Sequence, residues 1–143
     1  MCEKIKKTIN KIDIILSPAI GGIVVGYELG RQLKVETIFA ERLDQKLLLR
    51  RGFKIPENSN VLVVEDVITT GKSALECLEI VKINKSKLVG FACIIDRSNK
   101  KNLKIKQKIV SQIEIDIPTF TKNKLPTYLK SIAITKPGSR YIR

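Results

Sequence analysis

Thirteen consecutive residues, Val61 to Ser73, constrain this chain more than any others: V-L-V-V-E-D-V-I-T-T-G-K-S. An aliphatic, β-branched run such as Val61–Val64 fills a strand that is buried on both faces of a parallel sheet. Glu65 and Asp66 should then stand at its C-terminal end, the edge at which open α/β sheets bind ligands. Thr69, Thr70, Gly71 and Ser73 bring hydroxyls and backbone N–H groups to the start of a predicted helix, Ser73 to Val81. Free N–H groups at a helix start attract phosphate, so the order of residues reads as a sugar-phosphate cradle. An ordinary strand-to-helix connection with Thr as N-cap is the bland alternative. The full string of acid-acid-aliphatic-aliphatic-Thr-Thr-Gly, in a strand-turn-helix context, is far more specific than a lone glycine signature.

With 143 residues, 43% of them hydrophobic, the chain suits one domain, 1–143, around a single core. The longest stretch free of charge, Ile14 to Tyr27, is broken by Pro18, Gly21 and Gly22 and is too short to span a bilayer. Charges from Glu3 to Lys11 do not have the form of a secretory signal, so a cytoplasmic protein with no membrane partner is expected. Three cysteines, Cys2, Cys77 and Cys93, have no C-x-x-C spacing and no histidine to help hold a metal. Reduced thiols are expected, with Cys77 and Cys93 as core filler. The net charge of +13 raises the question of nucleic acid, but aromatic residues make up only 5% and do not interleave with the lysines. A solvated basic surface is the favoured reading, with attraction of an anionic small molecule or contact with RNA as the alternatives.

Strand-like and helix-like blocks alternate, which predicts an α/β fold with a mainly parallel central sheet flanked by helices. Ile12 to Leu16 reads as the first strand, Ser17 to Gly22 as a loop and Ile23 to Leu33 as a helix. Val35 to Ala40 reads as a second strand, Leu47 to Ile55 as a hairpin arm or a mobile loop, Leu88 to Ile95 as a further strand ended by Asp96-Arg97-Ser98-Asn99, and Ile113 to Ile117 as a strand-like patch. Pro118, Pro126 and Pro137 limit regular structure beyond it, and an irregular tail from Thr135 to Arg143 is expected.

Three pieces besides the opening motif carry chemistry, each just after a strand. In Ser17 to Gly22, small residues let backbone amides approach a charged ligand, although glycines before a helix are common. Ala40-Glu41-Arg42-Leu43-Asp44-Gln45-Lys46 is by itself a charged surface turn. Asp96-Arg97 could be a surface ion pair, or Arg97 could offer its planar fork to a carboxylate or a ring carbonyl.

Taken together these residues resemble the type I phosphoribosyltransferases, and among them the orotate phosphoribosyltransferases. The resemblance covers Ile12 to Arg97 well, and the end, Ile113 to Arg140 with its Lys-Pro-Gly-Ser-Arg, is similar to the tail of that branch. It implies the type I phosphoribosyltransferase fold and transfer of ribose 5-phosphate from phosphoribosyl diphosphate (PRPP) to orotate, with Mg²⁺ held mainly through PRPP and no all-protein metal site. It implies PRPP contacts at Ala19, Gly21, Gly22, Glu65, Asp66, Val67, Ile68, Thr69, Thr70, Gly71, Lys72 and Ser73, and orotate contacts at Thr69 and Arg97. Asp66 is implied in catalysis, with Arg42 and Lys46 standing in for a basic loop that closes over the diphosphate; Arg50 and Arg51 could also reach an anion. A homodimer without nucleic acid is implied. Departures are also visible: many members carry lysine in place of Gly21 and the loop histidine is missing; the resemblance further leads one to expect an N-terminal hood over the base pocket that is absent or incomplete. A PRPP-sensing RNA binder and a shortened inactive homologue are the other classes these departures leave open.

Overall fold

The computed structural model describes residues 1–98, 105–118 and 120–133, with the side chain of Lys122 left aside. Asn99 and the tail from Thr135 to Arg143 lie outside the described residues. The elements are α1 (Cys2–Thr8), β1 (Ile14–Pro18), α2 (Gly21–Leu33), β2 (Glu36–Leu43), β3 (Lys46–Leu49), β4 (Asn60–Ile68), α3 (Lys72–Ile83), β5 (Lys87–Asp96), β6 (Ile109–Glu114) and α4 (Thr127–Lys130), with a 3₁₀ turn at Lys122–Lys124. They build a six-stranded sheet in the order β3-β2-β1-β4-β5-β6, parallel except for the β2–β3 hairpin.

Strand periodicity explains how both faces are covered. Along β1 and β4, Ile14, Leu16, Val61 and Val63 point to one face, where they pack with Ala74, Cys77, Ile80 and Val81 of α3 and with Phe91. Ile15, Leu62 and Val64 point to the other face, against Leu29 of α2 and against Cys2, Ile5 and Ile9 at the N-terminus. Val61 to Val64 are fully buried, as expected of a central strand with helices on both sides. Cys77 and Cys93 are free and buried in the core, in the filler role the sequence suggested.

Several boundaries differ from the expected ones, each for a local reason. Ser17 and Pro18 belong to β1, because the ladder with β2 continues through Ser17↔Phe39 and Pro18↔Ala40. Gly21 and Gly22 are the first residues of α2 rather than the end of a loop. The motif strand β4 runs past both acids, since Glu65, Val67 and Ile68 pair with Cys93, Ile95 and Asp96. β6 begins at Ile109 rather than Ile113, in register with Phe91, and Ile113, Ile115 and Ile117 remain substantially exposed. Helix α1 was not anticipated; its cue is the apolar spacing Cys2, Ile5, Ile9 among lysines.

The open question at 47–55 resolves into a hairpin followed by a loop. β2 continues to Leu43 and pairs with β3 through Arg42↔Leu47 and Leu43↔Lys46. Asp44 and Gln45 both take positive φ, at 46° and 67°, the conformation of a two-residue turn matched to strand twist. Arg42 and Lys46 thus lie on paired strands either side of a tight turn.

Candidate active site

Strand order reverses between β1 and β4: the connection from β1 leads through α2 to β2 on one side, and that from β4 leads through α3 to β5 on the other. A crevice opens at such a switch point, outside the carboxyl ends of the strands. Two adjoining pockets occupy it. One, of about 340 Å³, is lined by Arg42, Gln45, Glu65, Val67 and the turn from Thr69 to Ser73. The other, of about 640 Å³, is lined by Pro18 to Gly21, Glu41, Arg42, Glu65, Asp66, Val67 and Ser73.

Each pocket faces the start of a helix. Gly71, at φ 72°, is the N-cap of α3 and no side chain caps that helix; the Lys72 N–H reaches only the Thr70 Oγ1, at 3.4 Å. Helix α2 likewise starts at Gly21 behind Ile20 without a side-chain cap. Such starts expose several backbone N–H groups with the positive end of the helix dipole behind them. Between them stand Glu65, 8% exposed, and the half-buried Asp66. Two anion-attracting ends with a carboxylate pair between them suit a ligand that has phosphate at both ends and hydroxyls in the middle.

The loop that closes the larger pocket is held at close range. Ala19 N–H donates to the Ala40 carbonyl at 2.8 Å, and the peptide from Ala19 to Ile20 is cis. A Cβ at Gly21 would run into the Asp66 carboxylate, and one at Gly22 would stand 2.8 Å from the Val64 carbonyl oxygen. Glycine at both positions lets the start of α2 sit directly against the acidic end of β4.

Arg42 stands where the two pockets meet. Its guanidinium pairs with Glu76 of α3 at 2.7 Å and donates to the Gln45 carbonyl at 2.5 Å. Arg51 commits its fork to Glu41, with contacts of 2.8 and 2.9 Å, and this hydrogen-bonded pairing holds the Glu41 carboxyl below the usual carboxylate range. Its partner Glu41 lines the larger pocket, so Arg51 stands behind that wall.

Of the residues singled out in the sequence, Ala19, Gly21, Glu65, Asp66, Val67, Thr69, Thr70, Gly71, Lys72, Ser73 and Arg42 come together on these two pockets. Gly22 and Lys46 line neither, and Ile68 is a core side chain, 1% exposed. Arg97 is exposed and also lines neither, but its N–H donates to the Ile68 carbonyl at 2.8 Å, which places its backbone beside the peptide leading into Thr69. Pro18, Ile20, Glu41 and Gln45 are pocket residues that lie within the two segments marked in the sequence but have no individual role assigned there. Ile20 and Gln45 flank motif residues and could have been found by extension; nothing in the sequence pairs Glu76 with Arg42.

Fold and cradle define a phosphoribosyl-transferring class of protein, and the family model described as phosphoribosyl transferase domain matches residues 1–128. The chain is 43% identical over 143 residues to an orotate phosphoribosyltransferase of Parvibaculum lavamentivorans, covering 99% of this chain and 73% of the relative. It is 45% identical to one of Methylorubrum populi, covering 98% and 71%. Adenine phosphoribosyltransferase from Thermoanaerobacter pseudethanolicus shares the fold with a TM-score of 0.69 at 18% identity, over 80% of this chain and 77% of that one. The chain belongs to the orotate phosphoribosyltransferase family.

Proposed function

We propose that this chain transfers ribose 5-phosphate from PRPP to N1 of orotate, forming orotidine 5′-phosphate and diphosphate on the route to UMP. The observation that carries the reading is the Glu65–Asp66 pair between two uncapped helix starts, in a chain whose relatives at 43% and 45% identity are orotate phosphoribosyltransferases.

The chemistry follows from charge. Departure of diphosphate leaves positive charge on the ribose ring, and Glu65 and Asp66, holding the ribose hydroxyls, offset it electrostatically. N–H groups of the turn from Thr69 to Ser73 hold the 5′-phosphate, and those at Ile20 to Gly22, in the loop that the Ala19 N–H ties to Ala40, hold the diphosphate. Arg42 and Lys46 on the β2–β3 hairpin meet the negative charge that grows on the leaving group. Thr69 and the Arg97 fork take the base, whose carboxylate suits a guanidinium. No side-chain nucleophile is required, since holding the two reactants in line supplies much of the rate.

Mg²⁺ fits the donor chemistry of the larger pocket, where Glu65 and Asp66 offer hard oxygens while Glu41 is held by Arg51. Among the described residues no group of three His, Cys, Asp or Glu side chains is arranged to hold an ion, so PRPP and water would provide most of its ligands. When bound, the ion supplies Lewis-acid charge to the diphosphate.

The functional unit is a cytoplasmic homodimer. Support comes from an apolar stripe at the start of α2, where the N-cap Ile20 and the helical Val24 and Tyr27 are 84%, 75% and 63% exposed at helical spacing. Sedimentation of the purified protein tests this part separately. For the activity, protein is incubated with PRPP, Mg²⁺ and orotate, and orotidine 5′-phosphate is measured beside an Asp66→Asn control. Product formation above the control is expected, and none above it would refute the assignment.

A further inference from the structure

Arg97 is an exposed side chain, yet the residue before it is among the most buried polar groups described: Asp96 is 4% exposed. A buried carboxylate is unfavourable unless hydrogen bonds hold it, so packing alone does not account for an acid here. Its cross-strand neighbour on β4, Ile68, fills the equivalent level of the sheet with a hydrocarbon side chain.

The bonds of Asp96 show what the carboxylate does. Oδ1 accepts the Ser98 N–H at 2.9 Å, two residues on, which folds the chain into an Asx turn as it leaves β5. The Asp96 carbonyl accepts the Ile115 N–H at 2.9 Å, and the Arg97 N–H donates to the Ile68 carbonyl at 2.8 Å. The Asp96 carboxylate therefore fixes the backbone just after Arg97, at Ser98, while backbone bonds fix the stretch before it, where the Ile68 carbonyl that takes the Arg97 N–H belongs to the peptide that continues into Thr69. Asp96 Oδ2 and Ser98 Oγ are buried as well and hold no hydrogen bond among the described residues, which leaves polar capacity in this corner for water or a ligand.

We propose that Asp96 is a positioning residue for the base: its carboxylate turns residues 96–98 so that Arg97 emerges beside Thr69. The proposal rests on the functional reading above and deepens it, because it names the residue that sets the geometry of the orotate contacts. Without the turn Arg97 keeps its charge but loses its place.

Steady-state kinetics with each substrate varied in turn test this. Asp96→Ala is expected to raise KM for orotate about tenfold or more, with KM for PRPP changed less than about twofold, because misplacing a contact weakens binding of that substrate alone. Asp96→Asn retains an oxygen for the Ser98 N–H and is expected to keep KM for orotate within about threefold of wild type. If Asp96→Ala does not fold, Ser98→Pro removes the donor from the other side and is expected to raise KM for orotate alone. An unchanged KM for orotate in whichever of these two variants is measured, a parallel rise in both KM values, or Asp96→Asn behaving like Asp96→Ala would each overturn the proposal. Wild-type protein that binds PRPP yet forms no orotidine 5′-phosphate would overturn the functional reading and this proposal with it, and that outcome is distinct from a failure of the variants.

Discussion

Gly21 lies directly against Asp66: a Cβ built on Gly21 would collide with the Asp66 carboxylate, so a side chain here is admitted only if the carboxylate swings aside. The contact joins the start of α2 to the end of β4, the two elements that bring a helix N-terminus and an acid to one pocket. Gly21→Ala must push the carboxylate away from the place proposed for it beside the ribose. PRPP affinity is expected to fall about tenfold or more, since small misplacements in a positioned site are costly. Folding stability should change by less than about 1 kcal/mol, because alanine suits an exposed helix start at least as well as glycine. Gly52→Ala is the contrast: Gly52, at φ 78°, has open space around its Cβ position, so that substitution is expected to strain the loop and leave PRPP binding unchanged. Calorimetric titration with PRPP, with denaturant unfolding alongside, separates the two effects.

Arg42 depends on Glu76 for its direction. The 2.7 Å ion pair crosses from β2 to α3 at the junction of the two pockets, with Glu76 also 4.0 Å from Lys72. Arg42→Ala is expected to raise KM for PRPP about tenfold and to cost roughly 1 kcal/mol of stability, as the half-exposed setting of the pair moderates the loss. Arg42→Lys keeps the charge without the fork that reaches Glu76 and Gln45 together, so it should fall between alanine and wild type. Equal kinetics for lysine and arginine would show that charge alone is used.

How much was legible in advance differed between the elements. The core strand β4 was visible because hydrophobicity and burial coincide at Val61 to Val64, and the cradle was visible because its residues are consecutive. The start of α2 was misjudged because Gly-Gly reads as a loop, whereas here both glycines are helical and are required for close approach to Asp66 and Val64. β6 was displaced toward Ile113 because isoleucines signal burial, but strand position follows pairing with Phe91 to Asp96, and several of those isoleucines stay exposed. The Arg42–Glu76 and Arg51–Glu41 pairs could not be read at all, since charged partners on separate elements leave no local pattern.

Among the described residues Phe91 is the largest fully buried side chain, and it belongs to the cluster that joins β1, β4 and α3. Truncating it opens a cavity in a sheet covered on both faces. Phe91→Ala is expected to destabilise the protein by about 3–5 kcal/mol. Under conditions that keep the variant folded, KM for PRPP should stay near wild type, because Phe91 lines neither pocket. A large kinetic effect without loss of stability would place Phe91 in the site rather than the core.

The buried thiols predict a specific alkaline weakness. Burial, with Asp96 nearby, pushes the Cys93 thiol up to about 12, and burial together with Glu65 and Glu76 drives Cys77 well above the ordinary thiol range. In the unfolded chain both titrate near pH 8.5, so above that point the unfolded state has released protons that the folded state still holds. Stability contributed by the neutral thiols is full below the unfolded value and is lost as the pH rises toward the folded one. The slope is at most about 1.4 kcal/mol per pH unit for each thiol. Denaturant midpoints measured from pH 8 to pH 10 should therefore fall less steeply in Cys93→Ala than in wild type, even though the variant starts lower because of its cavity. Identical slopes would show that Cys93 titrates as freely in the folded protein as in the unfolded chain. Native protein at pH 8 should leave Cys77 and Cys93 unmodified by a thiol reagent that labels all three cysteines after denaturation, since only the thiolate reacts and neither side chain is reachable.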